Sequence, residues 1–212
     1  MKESLPQKHI ALDFDNTLAH FEGGREGIYK LFQKQNIPLG LTASLYEETK
    51  KEGGFNIDKL IKKVIDKGGV AIDGRKIKEE FALWLSRSMK LYLDAGDLLL
   101  KIRKTGTSFS IISVGDRAFQ EEKARALGIL PQHVHVVEKV GDKARVLMDM
   151  LEKDSTPIIY IDDKATELDA IRQAISSKLI STIRIIRPDS PYKDEKARYE
   201  HKEISSLEEI EI

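Results

Sequence analysis

The chain has 212 residues, of which 41% are hydrophobic and 33% charged, with 35 basic and 35 acidic side chains in balance. This composition argues against disorder, which pairs low hydrophobicity with large net charge, and the lack of cysteine excludes disulfides, thiolate zinc sites and cysteine nucleophiles. Zero net charge gives no overall pull toward nucleic acid or anionic membrane, no uncharged apolar run nears the roughly 20 residues that span a bilayer, and the start lacks the apolar stretch of a secretory signal, so a soluble cytoplasmic protein is expected.

His9–Phe14 is the first apolar run of strand length, and it stops at acids: Ile10-Ala11-Leu12-Asp13-Phe14-Asp15-Asn16-Thr17. Asp13 and Asp15 share a side if the backbone stays extended, because side chains alternate along a strand. Two carboxylates about 4 Å apart repel by roughly 4 kcal/mol at an effective dielectric near 20, and a bound cation or a shared proton is the usual remedy. A solvated strand end with acids in a turn is the plain alternative. From Phe21 to Met89 no strand is expected. Helices are spaced instead between Gly-Gly pairs or proline, at Gly23-Gly24, Pro38, Gly53-Gly54 and Gly68-Gly69. They are Arg25–Gln35, Thr42–Lys51, Ile57–Lys67 and Lys76–Lys90, the last with Ile77, Phe81, Leu85 and Met89 in one stripe. Four short amphipathic helices inserted here predict a small bundle, a cap over the first strand's carboxyl end.

Beyond the insertion, strands and helices alternate. Strands are expected at Ser108–Ser113, Val134–Val137, Pro157–Ile161 and Thr182–Ile186, and helices at Ala118–Leu127, Lys143–Leu151 and Thr166–Ser176. Such a rhythm predicts an α/β protein whose parallel sheet is covered on both faces, with ligands bound beyond the carboxyl ends of the strands. The expected boundaries are 1–17 and 94–212 for the core and 18–93 for the cap. The tail, Ser205-Ser206-Leu207-Glu208-Glu209, opens with a capping box.

Chemistry-bearing residues recur at the ends of these strands. Ser113 precedes Val114-Gly115-Asp116, where a hydroxyl and backbone amides ahead of a helix form a cradle for phosphate oxygens, or simply a turn. Lys143 falls in a first helical turn, whose partial positive charge disfavours it unless an anion compensates; Lys139 is its rival, and a solvated surface lysine the bland reading. The run Ile158-Ile159-Tyr160-Ile161 stops at Asp162-Asp163, and a helix N-cap role explains Asp163 but not its neighbour. His133 and His135 have no third ligand spaced near them and read as packed or solvated. Taken together, acids, hydroxyl, lysine and acids at one end of a sheet match the needs of phosphoryl transfer: a nucleophile, oxygen-binding donors, charge neutralisation and a metal platform.

At these residues the sequence resembles the haloacid dehalogenase-like (HAD) superfamily over nearly the whole chain. Asp13-Phe14-Asp15-Asn16-Thr17 is similar to its first motif, Ser113 to its second, Lys143 to its third and Asp162-Asp163 to its fourth. The helical insertion resembles its C1-type caps, and Tyr92–Leu99 the segment that returns to the core. Three departures from the usual pattern stand out, one of them that motif three has two candidate lysines, Lys139 and Lys143. Ser113-Val114-Gly115 lacks the customary Asn-Gly or Gly-Gly, and Asp162-Asp163 is followed by Glu167 and Asp169 rather than by one spaced Asp.

The resemblance implies a Rossmann-like parallel-sheet core with an inserted all-helical, four-helix cap. It implies a Mg2+-dependent phosphatase that hydrolyses a small phosphorylated metabolite through an aspartyl-phosphate. In that reading Asp13 is the nucleophile, Asp15 the general acid and base, and Lys143 the counter-charge. Ser113 and the Val114 amide hold the phosphoryl group, and Thr17 orients the nucleophile loop. Asp13, the Asp15 backbone carbonyl and Asp163 bind Mg2+, with Asp162 beside or behind. Haloacid dehalogenases lack an acid two residues after the nucleophile, because halide leaves without a proton, so Asp15 favours phosphate chemistry. Gly53-Gly54-Phe55, Arg25, Arg75 and Trp84 are candidates for touching substrate, although packing of Trp84 and solvation of the arginines are the simpler readings. Receiver domains order their acids and lysine the other way round and are set aside. The alternatives are a nucleotidase or polynucleotide-end phosphatase, for which only Lys62-Lys63 and Arg184–Arg187 offer basic stretches, and a non-catalytic phosphate-binding or interaction module. No membrane or nucleic-acid partner is expected; substrate identity and oligomeric state stay open.

Overall fold

The computed structural model describes residues 8–139, 141–176 and 178–212. In chain order the elements are β1 (His9–Leu12), β2 (Ala19–Phe21), α1 (Glu26–Gln33), α2 (Leu39–Lys51), α3 (Ile57–Gly68), α4 (Gly74–Ser88), β3 (Met89–Leu91), α5 (Leu93–Thr105), β4 (Ser108–Val114), α6 (Arg117–Ala126), β5 (Val134–Val137), α7 (Lys143–Asp154), β6 (Ile158–Asp162), α8 (Ala165–Ala174), β7 (Ile180–Ile185) and β8 (Lys202–Ile204). Short 3-10 turns lie at Pro131–His133 and Leu207–Glu209.

Six of the strands make one sheet in the order β5-β4-β1-β6-β7-β8. β1 runs parallel to both neighbours, with Leu12 opposite Ile111 on β4 and Ile161 on β6, and β7 is parallel to β6 and β8. Ile10, Ala11, Leu12, Ile111, Ile112 and Ile161 are all fully buried. Burial on both faces is why these strands read as continuous apolar runs rather than alternating ones. The strands and helices expected from the sequence are present, with ends displaced by up to three residues. The structure adds four elements: α5, the edge strand β8, and β2 with β3, which pair in a two-stranded ribbon at the two ends of the insertion.

Two compact units share the chain. The first takes residues up to His20, Leu91–Ser113 and Gln132–Ile212; the second takes Phe21–Lys90 and Val114–Pro131. The first unit therefore holds the sheet with α5, α7 and α8. Its C-terminal turn is closed by the capping box, in which Ser206 caps the turn and Glu209 reaches back to the Ser206 amide at 3.1 Å.

The second unit is helical and holds α1–α4 together with α6. The α4 stripe packs through Ile77, Phe81 and Leu85, while Met89, expected to continue it and also buried, lies past the helix end as the first residue of β3. Asn56 caps α3 by accepting from the Asp58 and Lys59 amides, and Asp73 caps α4. Phe55 lies in an aromatic cluster with Tyr46, Phe81 and Phe119, and Trp84 stacks on Phe21 at 5.2 Å, so both pack inside this unit. Arg75 is exposed and pairs with Glu79, while Arg25 lies over the Tyr46 ring. Gly54 sits at φ 97°, and a Cβ there would fall 2.4 Å from the Asp116 amide nitrogen. Only glycine allows that approach, which the Asn56 amide reinforces by donating to Asp116 Oδ1 at 3.0 Å. Among the described residues no helix is long and apolar enough to cross a membrane.

Candidate active site

Parallel pairing in register brings the ends of β1, β4 and β6 to one edge of the sheet. β1 stops at Leu12, and the Asp13 amide continues the ladder by donating to the Ile161 carbonyl at 2.8 Å. The chain then folds back on itself. Leu18 and Ala19 donate to the Phe14 carbonyl, and Asn16 takes the left-handed conformation at φ 58°, which asparagine tolerates. Asp13 is buried by this turn and Asp15 half-buried, bridging to Ala19.

Lys143, the first residue of α7, supplies the link between the strand ends. Its ammonium is 2% exposed and donates to Asp13 Oδ1 at 2.6 Å and to Asp162 Oδ2 at 2.8 Å. The anion that compensates a lysine at a helix N-terminus is thus a pair of carboxylates. Lys139, the rival in the sequence, is exposed. Burial alone would lower the Lys143 pKa, but the charges of Asp13 and Asp162 override it and hold the ammonium well above its ordinary value. Glu167, buried on α8, accepts from the Gly141 amide at 3.0 Å and so fastens the loop that delivers Lys143.

The two acids after β6 are held differently. Asp162 Oδ2 accepts from Lys143 and, at 2.5 Å, from the buried Tyr160 hydroxyl, while Asp162 Oδ1 accepts from the Lys164 amide at 2.9 Å. Asp163 donates its amide to Thr17 Oγ1 at 3.0 Å and accepts from the Ser190 hydroxyl on Oδ2 at 2.5 Å. No hydrogen bond reaches Asp163 Oδ1 among the described residues. Asp13, Asp162 and Asp163 each offer an oxygen within 4.8 Å of the others. A small hard cation with ligands at about 2 Å needs opposed oxygens roughly 4 Å apart, so the three suit one ion. Charge agrees with spacing: three buried carboxylates face one ammonium, and a divalent cation balances the remainder.

Without a cation, neutralisation falls to protons. Burial is the main cause that raises the Asp163 pKa to about 7, with the Asp162 charge acting in the same direction, and burial likewise raises Asp13 well above the carboxylate range against the pull of Lys143. A protein kept in chelator is therefore expected to lose stability as pH rises. Unfolded Asp163 titrates near 4 and the folded residue near 7, so between these values only the folded state keeps the proton. The stabilisation is complete below about pH 4 and gone above the folded pKa, an effect of a few kcal/mol. Melting temperatures of wild type and Asp163→Asn across pH 5 to 8 measure it: the wild type should fall by several degrees more than the variant.

Ser113 closes the end of β4, buried at 2% exposure, with no hydrogen bond to its hydroxyl among the described residues. Val114 begins the second unit, and its carbonyl accepts from Gln120. The first motif's loop is braced by residues whose part in it has no local signal in the sequence. Arg187, 5% exposed, donates to both oxygens of Asp94 at 2.7 and 2.9 Å and to the Thr17 carbonyl at 2.9 Å. Its guanidinium lies 4.0 Å from the centre of the Tyr92 ring. Ser190 and Tyr160 were also missed. A tyrosine in a strand otherwise made of isoleucine, two residues before an acid, was the available signal for Tyr160. Nothing local marked Ser190, whose loop reaches Asp163 only through the fold. His133 stacks on Phe109 at 4.4 Å, the packed reading.

Solved structures with this architecture decide the fold. The structure aligns with a haloacid dehalogenase-like hydrolase from Burkholderia xenovorans at TM-score 0.70 and 17% identity, over 98% of this chain and 100% of that one. The fold is that of the HAD superfamily. An L-2-haloacid dehalogenase aligns at TM-score 0.61 and 17% identity over 95% and 96% of the two chains. A CbbY variant from Rhodobacter sphaeroides, solved with xylulose 1,5-bisphosphate, aligns at TM-score 0.58 and 15% identity over 96% of each chain. No protein-family model and no curated protein matches the sequence. Every residue of the acid and lysine cluster lies in the first unit.

Proposed function

We propose that this protein is a Mg2+-dependent phosphatase that hydrolyses a small phosphorylated metabolite through an aspartyl-phosphate on Asp13. The observation that carries this reading is the buried Lys143 bridge between the acid ending β1 and the acid ending β6, with Asp163 within cation-sharing distance of both. Asp13, Asp163 and the Asp15 backbone carbonyl would hold Mg2+, with Asp162 behind them; the ion would supply charge neutralisation for the phosphoryl oxygens. A carboxylate oxygen of Asp13 forms the new bond to phosphorus as the ester oxygen departs, taking its proton from the Asp15 carboxyl. Asp15 then removes a proton from water, whose oxygen attacks phosphorus and releases the Asp13 carboxylate. Ser113 donates to a phosphoryl oxygen, and Lys143 draws the Asp13 pKa down and orients its carboxylate.

HAD-fold relatives include both a dehalogenase and a protein solved with a sugar bisphosphate. Asp15 favours the second chemistry, since an alkoxide leaving group needs a proton and a halide does not. A polynucleotide substrate finds less support: of the two basic stretches, Arg184 and Arg187 are buried in ion pairs with Glu203 and Asp94 and offer no surface to a phosphate backbone. A panel of phosphomonoesters and 2-haloacids, assayed with Mg2+ and with chelator, tests the proposal. Phosphate release that needs Mg2+ is expected, and Asp15→Asn should slow the second step so that an acid-stable, hydroxylamine-labile phosphoenzyme accumulates. Halide release without phosphate release would overturn the reading.

A further inference from the structure

Asp162 and Asp163 leave the same strand end with unequal hydrogen-bond demands already met. A carboxylate accepts at roughly four lone-pair positions. Asp162 fills three of them from its own chain, with the Lys143 ammonium, the Tyr160 hydroxyl and the Lys164 amide. Asp163 fills one, from Ser190. The contact that tips this balance is the Tyr160 phenol. Tyr160 and Asp162 are two residues apart on β6, so alternation puts them on one face of the sheet, and Tyr160 is fully buried there. A phenylalanine would fill the same space without burying a hydroxyl, and a buried hydroxyl must find a partner. Here the partner is the oxygen of Asp162 that also binds Lys143, and the ammonium lies 5.8 Å from the centre of the Tyr160 ring. Burial and the neighbouring Asp162 charge raise the phenol's pKa well above its ordinary value, so it remains a donor throughout the working pH range.

We propose that Tyr160 is a positioning residue of the cation site: its phenol fixes Asp162 as the internal partner of Lys143 and thereby leaves Asp163 and Asp13 to the cation. The inference rests on the phosphatase reading through its cation. Without the phenol, Asp162 keeps the Lys143 ammonium on Oδ2 and the Lys164 amide on Oδ1 but loses the third contact, so the pair that sets Asp13 and Asp163 around the cation is held less firmly. Asp162 and Lys143 stand directly behind the cation's ligands, where partners typically change metal affinity by about 10–100-fold, and Tyr160 holds the oxygen that joins the two.

The test is calorimetric titration of Mg2+ into the purified, chelator-treated protein, with melting temperatures recorded alongside. Tyr160→Phe keeps the ring and should weaken Mg2+ binding about tenfold or more. Thr182→Val removes another buried hydroxyl of the same sheet, bonded to His201, and should leave the affinity within about twofold of wild type, whatever either variant does to melting. Tyr160→Phe binding Mg2+ as the wild type does would overturn the positioning role and leave the phosphatase proposal standing. Wild type that binds no Mg2+, or Asp163→Asn that binds it unchanged, would overturn the cation site and both proposals with it.

Discussion

Replacement of Asp13 by Asn is expected to abolish turnover while leaving the fold intact or firmer. The side chain keeps its shape, and Lys143 keeps its second partner in Asp162. One of three crowded carboxylates is gone, so the repulsion that burial and Asp162 impose on this site without a cation is relieved. Chelator-treated Asp13→Asn should therefore melt at or above the wild-type temperature at pH 8. Its activity should fall by at least about a thousandfold, because an amide neither attacks phosphorus nor forms an acyl-phosphate, and removal of one member of a concerted site costs nearly as much as removal of all. The two measurements together separate a chemical loss from an unfolded protein. Full activity in this variant would sink the mechanism.

Lys143→Met should behave in the opposite way, losing both stability and activity. The ammonium is buried between two carboxylates at 2.6 and 2.8 Å, and the substitution strands both without a counter-charge. Breaking a buried ion pair from one side typically costs about 3–5 kcal/mol. The sign of its pH dependence follows from the acids left behind. Asp13 and Asp163 already have raised pKa values, and loss of the cation raises them further, so protonation below about pH 6 relieves much of the penalty. Denaturant melts at pH 5 and pH 8 should show the larger destabilisation at pH 8. Equal destabilisation at both would mean that Lys143 is not the counter-ion of ionised acids.

Most of the core's strands and helices were legible in the sequence because a parallel sheet buries both faces of its strands. His9–Leu12, Val134–Val137 and Ile158–Asp162 announce themselves as apolar runs, and α4 through its stripe of Ile77, Phe81 and Leu85. Elements with weaker local signals escaped. α5 buries Ala95, Leu98 and Ile102, but Leu93 and Leu100 on its exposed side blur the pattern. β2, β3 and β8 are each three residues long, too short for a period of two to stand out.

The same division runs through the site. Asp13, Asp15, Ser113 and Asp162-Asp163 could be found from the sequence because each is a polar group set against an apolar run, where burial without a purpose is costly, and Lys143 because a lysine in a first helical turn calls for an anion. The sequence favoured Lys143 over Lys139 and the structure decided it, while the Tyr160 contact that ties Asp162 to that lysine and the Ser190 and Arg187 braces belonged to the tertiary structure alone. Lys143 meets Asp13 across 130 positions of chain, and Ser190 meets Asp163 across 27. Local patterning reports which side chains must be buried; only the closed fold determines which buried charges meet, and with that which acid is left to hold a cation.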